Sequence, residues 1–171
     1  MLLTIIIGET GSGKSTYAKD IFKNKKNCFV YDFQNEYECN IFSINPFYEK
    51  FKLIPTKHKV KDFVSFCENA TGYNIFCEEA TGLFTNTINE KFTQCVLSKR
   101  HNKNNYYLIF HSLHSVPPKL MIFCDRLVIF KTNDLEKNIE SKYPQYLETW
   151  KRVCKEKRYY KEIINISNLV K

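Results

Sequence analysis

A chain of 171 residues, 43% hydrophobic and 26% charged, has room for one domain with a full core, is short for two, and has the composition of a soluble globular protein. No apolar run reaches the roughly 18 residues of a membrane helix. The N-terminal MLLTIIIG lacks a basic leader and meets glycine too early for a signal peptide, so a cytoplasmic protein with no membrane partner is expected.

The formal net charge of +8 suits an anionic partner, nucleic acid or nucleotide. Nearly all of it is lysine, the arginines being Arg100, Arg126, Arg152 and Arg158, so the lysine- and asparagine-rich usage of an AT-rich genome accounts for it equally well. The seven cysteines are scattered without a CxxC pair, which argues against a disulfide framework or zinc site and for a reducing compartment.

In chain order, Leu2–Ile7 reads as the first strand. GETGSGKST follows and satisfies G-x-x-x-x-G-K-[ST] without a gap. Gly8, Gly11 and Gly13 let successive N–H groups face inward, where a Cβ would obstruct phosphates. The next helix, about Gly13 to Lys23 with Tyr17, Ala18, Ile21 and Phe22 on one face, adds the positive end of its dipole. Lys14 supplies a point charge to the β/γ-phosphates, and the Ser15 hydroxyl can ligate Mg²⁺. The expected phosphate-binding segment is therefore Gly8, Glu9, Thr10, Gly11, Ser12, Gly13, Lys14, Ser15 and Thr16.

Cys28–Phe33 reads as a second strand, Gln34–His58 has no clear period, and Val60–Asn69 reads as a helix. The third strand, Tyr73–Glu78, ends in two adjacent carboxylates, and burying a carboxylate uncompensated costs several kcal/mol. A phosphate loop nearby gives them a reason. Glu78 can hold Mg²⁺, and Glu79 can orient or activate the water that attacks the γ-phosphate. Period-two alternation aims the two side chains apart. Asp32 is the rival acid.

A helix with a capping box at Thr87 and Glu90 comes next, its apolar face being Ile88, Phe92, Cys95 and Val96, and it ends near Arg100. Tyr106–Phe110 is the fourth strand; it finishes at His111–Ser112, either of which can contact a γ-phosphate. Zinc on His111 and His114 is not expected, since no acidic or thiol ligand lies at suitable spacing. Arg126–Phe130 is the fifth strand. A basic helical segment, about 135–160, is interrupted at Pro144. Leu147, Trp150, Val153 and Cys154 share one face, and Lys151, Lys155, Lys157 and Arg158 fall largely elsewhere, as a solvated face or a hold on DNA phosphates. Glu162–Ile166 closes the sheet. The expected architecture is a single α/β domain over 1–171, a mostly parallel sheet covered by helices on both faces.

Five blocks, GETGSGKST, VYDFQNEY, NIFCEEAT, SKRHNKNNYYLIFHSLHSVPP and DRLVIFKTND, span most of Met1–Asp134. In that order they resemble the FtsK–HerA superfamily of DNA-pumping ATPases, especially compact phage genome-packaging ATPases. The resemblance implies a RecA-like (ASCE) P-loop NTPase fold, with ATP and Mg²⁺ bound. It also implies double-stranded DNA as partner, a homo-oligomeric ring, a capsid or portal partner, and residence in the host cytoplasm if the source is viral. Arg100 stands where family members carry an arginine that completes a neighbour's site. Glu78 replaces the more usual Asp, and His111–Ser112 the usual glutamine.

Two other readings use the same loop: a small P-loop nucleotide or metabolite kinase, and a non-catalytic nucleotide-dependent assembly switch. Scarce arginine argues against a kinase lid, and the Glu78–Glu79 pair favours hydrolysis.

Overall fold

The computed structural model describes residues 1–41, 50–54, 60–84 and 88–166. Its centre is β1 (Leu3–Ile7), whose five residues are all buried. A strand apolar on both faces is stable only inside a sheet covered on both sides, and that pattern continues in β2 (Cys28–Tyr31), β5 (Asn74–Cys77), β6 (Asn105–Phe110) and β7 (Arg126–Phe130). With β3 (Asn40–Ile41), β4 (Lys50–Leu53) and β8 (Lys161–Asn165) they form one eight-stranded sheet in the order β3-β4-β2-β5-β6-β1-β7-β8. All neighbouring pairs are parallel except β7 with β8.

Alternation divides the side chains between two cores. Leu3, Ile5, Ile7, Phe29, Ile75, Leu108 and Ile129 face the larger one. It is completed by α2 (Val60–Asn69), α3 (Ala80–Leu83), α4 (Ile88–Leu97), α5 (Pro118–Ile122), α6 (Glu136–Lys142) and α7 (Leu147–Lys155). The other face is covered by α1 (Lys14–Lys23), through Ala18 over Ile6 and Val128 and through Phe22 over Val30 and Phe76. Phe76 lies at the centre of that second core, stacked on Tyr107 at 4.3 Å and meeting Phe22 edge-on at 5.4 Å.

The expected strands and long helices are present, most with ends moved by a residue or two. The short elements β3, β4, α3 and α5 have too few residues to show a period. Thr87, and with it the capping box, lies outside the described residues. The C-terminal segment is not helical to its expected end. The helix stops at Lys155, and Glu156 is extended. The apolar spacing of Leu147, Trp150, Val153 and Cys154 ends there, so nothing holds another turn against the core. Lys151 pairs with Glu136 at 2.7 Å, and Arg152 grips both oxygens of Glu162 at 2.5 and 2.6 Å, so part of the basic face is neutralised within the chain. Among the described residues, no helix is long and apolar enough to cross a membrane.

Phe76→Ala is expected to cost about 3–5 kcal/mol, while Ile163→Ala on the exposed edge strand stays within about 0.5 kcal/mol. Urea denaturation followed by the fluorescence of Trp150, the chain's single tryptophan, measures both.

Candidate nucleotide site

Parallel strands bring their C-terminal ends to one edge, and β6 lies between β5 and β1. The Gly8–Thr16 loop leaves β1 and is tied to both neighbours: Gly8 N–H donates to the Phe110 carbonyl at 3.1 Å, and Glu9 N–H to the Lys131 carbonyl at 2.8 Å. Gly8 has no room for a side chain, since a Cβ would stand 2.3 Å from Ser12 Oγ and 2.8 Å from Phe130 Cβ. Gly13 caps α1 at φ 97°, a conformation that an L residue strongly resists.

Lys14 is buried, and its ammonium has a 3.5 Å contact to the Glu9 carbonyl. Desolvation lowers its pKa, opposed by Glu78, Glu79 and Glu36. Glu78 is also buried, 8% exposed, and desolvation raises its pKa, against a hydrogen bond from Tyr37 Oη at 2.9 Å and the charge of Lys14. Burial and Glu78 likewise push the Tyr37 hydroxyl far above its ordinary range, which keeps it a donor.

β5 ends at Cys77, so both glutamates lie beyond the strand. The pleat does not separate them. Glu78 keeps the strand's hydrogen bonding, its N–H donating to Tyr31 at 3.1 Å, and Glu79 turns into the left-handed region at φ 54°. That reversal points its carboxylate at His111, whose Nε2 it contacts. Asp32 has other work: fully buried, it accepts the N–H groups of Glu36 and Tyr37 at 2.9 and 2.8 Å and faces Lys52 at 3.5 Å. It shapes the turn that delivers Tyr37 to Glu78.

These groups meet in one cleft of about 270 Å³, lined by Thr10, Gly11, Gly13, Lys14, Ser15, Thr16, Glu78, Glu79 and His111. Gly8, Glu9 and Ser12 form its floor and frame rather than its lining. Ser112 is occupied in a turn, its Oγ accepting the Ser115 N–H at 3.0 Å, and does not reach the cleft. Arg100 is remote. Its turn leads into the N-terminal end of β6, whereas the loop leaves the C-terminal end of the parallel β1, so the two lie at opposite edges of the sheet.

The residues suit a phosphate chain with a divalent cation. Ser12 Oγ is buried without a hydrogen-bond partner, the loop is too tight for a Cβ at Gly8, and a lysine faces carboxylates across an open space. Ser15 and Glu78 supply oxygen donors of the kind Mg²⁺ prefers.

The sheet order, with β6 between the loop strand and the acidic strand, can be compared with solved structures. The chain shares the fold of viral packaging ATPases. B204, the DNA-packaging ATPase of Sulfolobus turreted icosahedral virus, superposes with a TM-score of 0.77 at 16% identity, over 97% of this chain and 93% of that one. The genome-packaging NTPase B204 of Sulfolobus turreted icosahedral virus 2, solved with AMPPCP, gives 0.77 at 15% identity over 98% and 93%. The N-terminal domain of zonular occludens toxin from Neisseria meningitidis gives 0.53 at 13% identity over 77% and 78%. No family model matches the chain, and no curated protein matches it in sequence.

Gln34, Glu36, Arg158 and Tyr159 also line the cleft. Gln34, Glu36, Tyr159 and Tyr37 are absent from the sequence-derived set, and Arg158 is expected there on the basic face of the C-terminal helix, as solvated or on DNA phosphates, not in this cleft. Tyr37 stands in the quoted VYDFQNEY block, but nothing in its spacing singles it out. Arg158 and Tyr159 come from beyond α7, where sequence patterning predicts more helix.

Tyr37→Phe removes the bond that favours charged Glu78. Where the carboxyl is charged, the variant should lose about 1.5–3 kcal/mol of stability. Burial already holds the folded carboxyl above 4.5, and the variant raises it further. The deficit should therefore disappear as pH falls through those folded-state values, above 4.5, since below them the carboxyl is protonated in both folded proteins. Urea titrations of both proteins across that range test the sign.

Proposed function

We propose that the chain is an Mg²⁺-dependent ATPase subunit that assembles into a homo-oligomeric ring and moves double-stranded DNA, as in viral genome packaging with a capsid or portal partner, in the cytoplasm. The observation that carries this reading is the convergence of Lys14, Ser15, Glu78, Glu79 and His111 in one cleft, on a fold shared with viral packaging ATPases. Ser15 Oγ and Glu78 would hold the metal, which when bound neutralises phosphate charge and polarises the γ-phosphoryl group. The loop amides and Lys14 hold the β- and γ-phosphates.

Glu79 orients a water and takes its proton as the water oxygen bonds to the γ-phosphorus. The bond from that phosphorus to the β,γ-bridging oxygen breaks, giving ADP and phosphate. His111, already paired with Glu79, moves between carboxylate and γ-phosphate and so reports the state of the nucleotide. Arg100 is too far from this chain's own cleft to act there, which is compatible with the role the resemblance implies, completing a neighbouring subunit's site. Lys155 and Lys157, exposed beyond the paired Lys151 and Arg152, supply phosphate contacts to DNA.

Steady-state ATP hydrolysis with and without double-stranded DNA is expected to show stimulation. Glu79→Gln should lose about 10²-fold or more of kcat with ATP binding kept. Equal turnover by wild type and Glu79→Gln would remove Glu79 from the chemistry. Phosphate transferred to a nucleoside or nucleotide would instead favour the kinase, and tight ATP binding without turnover the assembly switch.

A further inference from the structure

The nucleotide reading accounts for the carboxylate end of the cleft and leaves the other end unexplained. Along β5-β6-β1-β7-β8, Glu78 and Glu79 follow β5, His111 follows β6, and the phosphate loop follows β1. Arg158 and Tyr159 precede β8, on the far side of the loop from the carboxylates, yet they line the same cleft. A nucleotide whose γ-phosphate points at Glu79 must direct its base away from β5 and β6, toward β7 and β8.

What stands there is an aromatic face held in place. Tyr159 is 61% exposed, and its ring lies against the loop so closely that a Cβ on Gly13 would meet Cδ1 at 2.8 Å. Its backbone is left-handed, φ 74°, a strained conformation for a bulky L residue, and such strain persists only where surrounding contacts impose it. The backbone is set by a turn closed by Tyr160 N–H on the Lys157 carbonyl at 3.1 Å, and Arg158 fastens that turn to the loop. The Arg158 Nε–H donates to the Gly11 carbonyl at 2.9 Å, and its guanidinium lies 5.2 Å from the Tyr159 ring centroid. The turn explains the backbone but not why a large ring, 61% exposed, is held beside the phosphate loop.

We propose that Tyr159 is the platform on which the nucleobase stacks, with Arg158 as the positioning residue that fastens the platform to the phosphate loop. This rests on the nucleotide reading of the same cleft and adds a base subsite to it. A ring face recognises any base by its π surface, so the platform gives affinity with little discrimination among bases. Arg158 acts through Tyr159 and Gly11 rather than on the base.

The test compares ATP, GTP and inorganic tripolyphosphate, each with Mg²⁺, by calorimetric titration of wild type, Tyr159→Ala, Tyr159→Phe and Arg158→Ala. Tyr159→Ala is expected to weaken ATP and GTP about tenfold or more in parallel, to leave tripolyphosphate within about twofold, and to be rescued by Tyr159→Phe. Arg158→Ala should follow Tyr159→Ala in the same pattern, to a smaller extent. Equal weakening of tripolyphosphate would overturn the platform in favour of a role in loop structure or phosphate binding, as would no weakening of any ligand. Loss confined to ATP would overturn it in favour of edge recognition of adenine. A folded wild type that binds neither nucleotide nor tripolyphosphate would overturn the phosphate-loop reading itself, and the platform with it.

Discussion

A loop that is to surround phosphates needs its backbone held open from outside, even though one of its amides, Ser12 N–H, closes on the Glu9 carbonyl at 3.2 Å. Here the anchoring comes from the two strands beside β1. Gly8 is fastened to the end of β6 and Glu9 to the residue after β7, and both bonds exist because β1 is the central member of a parallel trio in fixed register. The same register sets His111 beside the loop at the end of β6 and Glu78 one strand further out. A slip of one residue in β1 would turn every apolar side chain of that strand to the wrong core and would separate the loop from the carboxylates. Core packing and site geometry are one constraint.

The charges inside the cleft depend on that geometry. Lys14 and Glu78 are both withdrawn from water, and each partly offsets the other's desolvation, while Tyr37 satisfies one oxygen of the carboxylate. Neither residue is comfortable alone. In the proposed function the arrangement would improve as a cation and a phosphate chain entered between them. Asp32 belongs to the same unit one step removed, because the turn it nucleates is what brings Tyr37 there.

Much of this was legible in the residues. β1, β5, β6 and β7 announce themselves as short apolar runs, and GETGSGKST encodes its own turn, anion cradle and helix start. The glutamates were legible as an anomaly, two carboxylates where a core strand should end. How they part company was not, since neither the left-handed turn at Glu79 nor its contact with His111 leaves a periodic mark. Tyr37 and Asp32 act through a turn in a stretch with no hydrophobic period. Arg158 and Tyr159 were hidden for the opposite reason: α7 has so regular an apolar face that extrapolating it carries the helix past its true end.

The backbone at Glu79 has a consequence of a different kind. A left-handed residue without a bound partner favours glycine, which adopts that conformation freely, over a side chain of four heavy atoms beyond Cβ. Fold stability and the proposed chemistry therefore pull against each other at this position: glycine would relax the turn after β5 and erase the carboxylate in the same stroke. Idealising the backbone at this residue with glycine would remove the carboxylate that contacts His111. A left-handed turn in the cleft is thus the wrong place to look for gains in robustness.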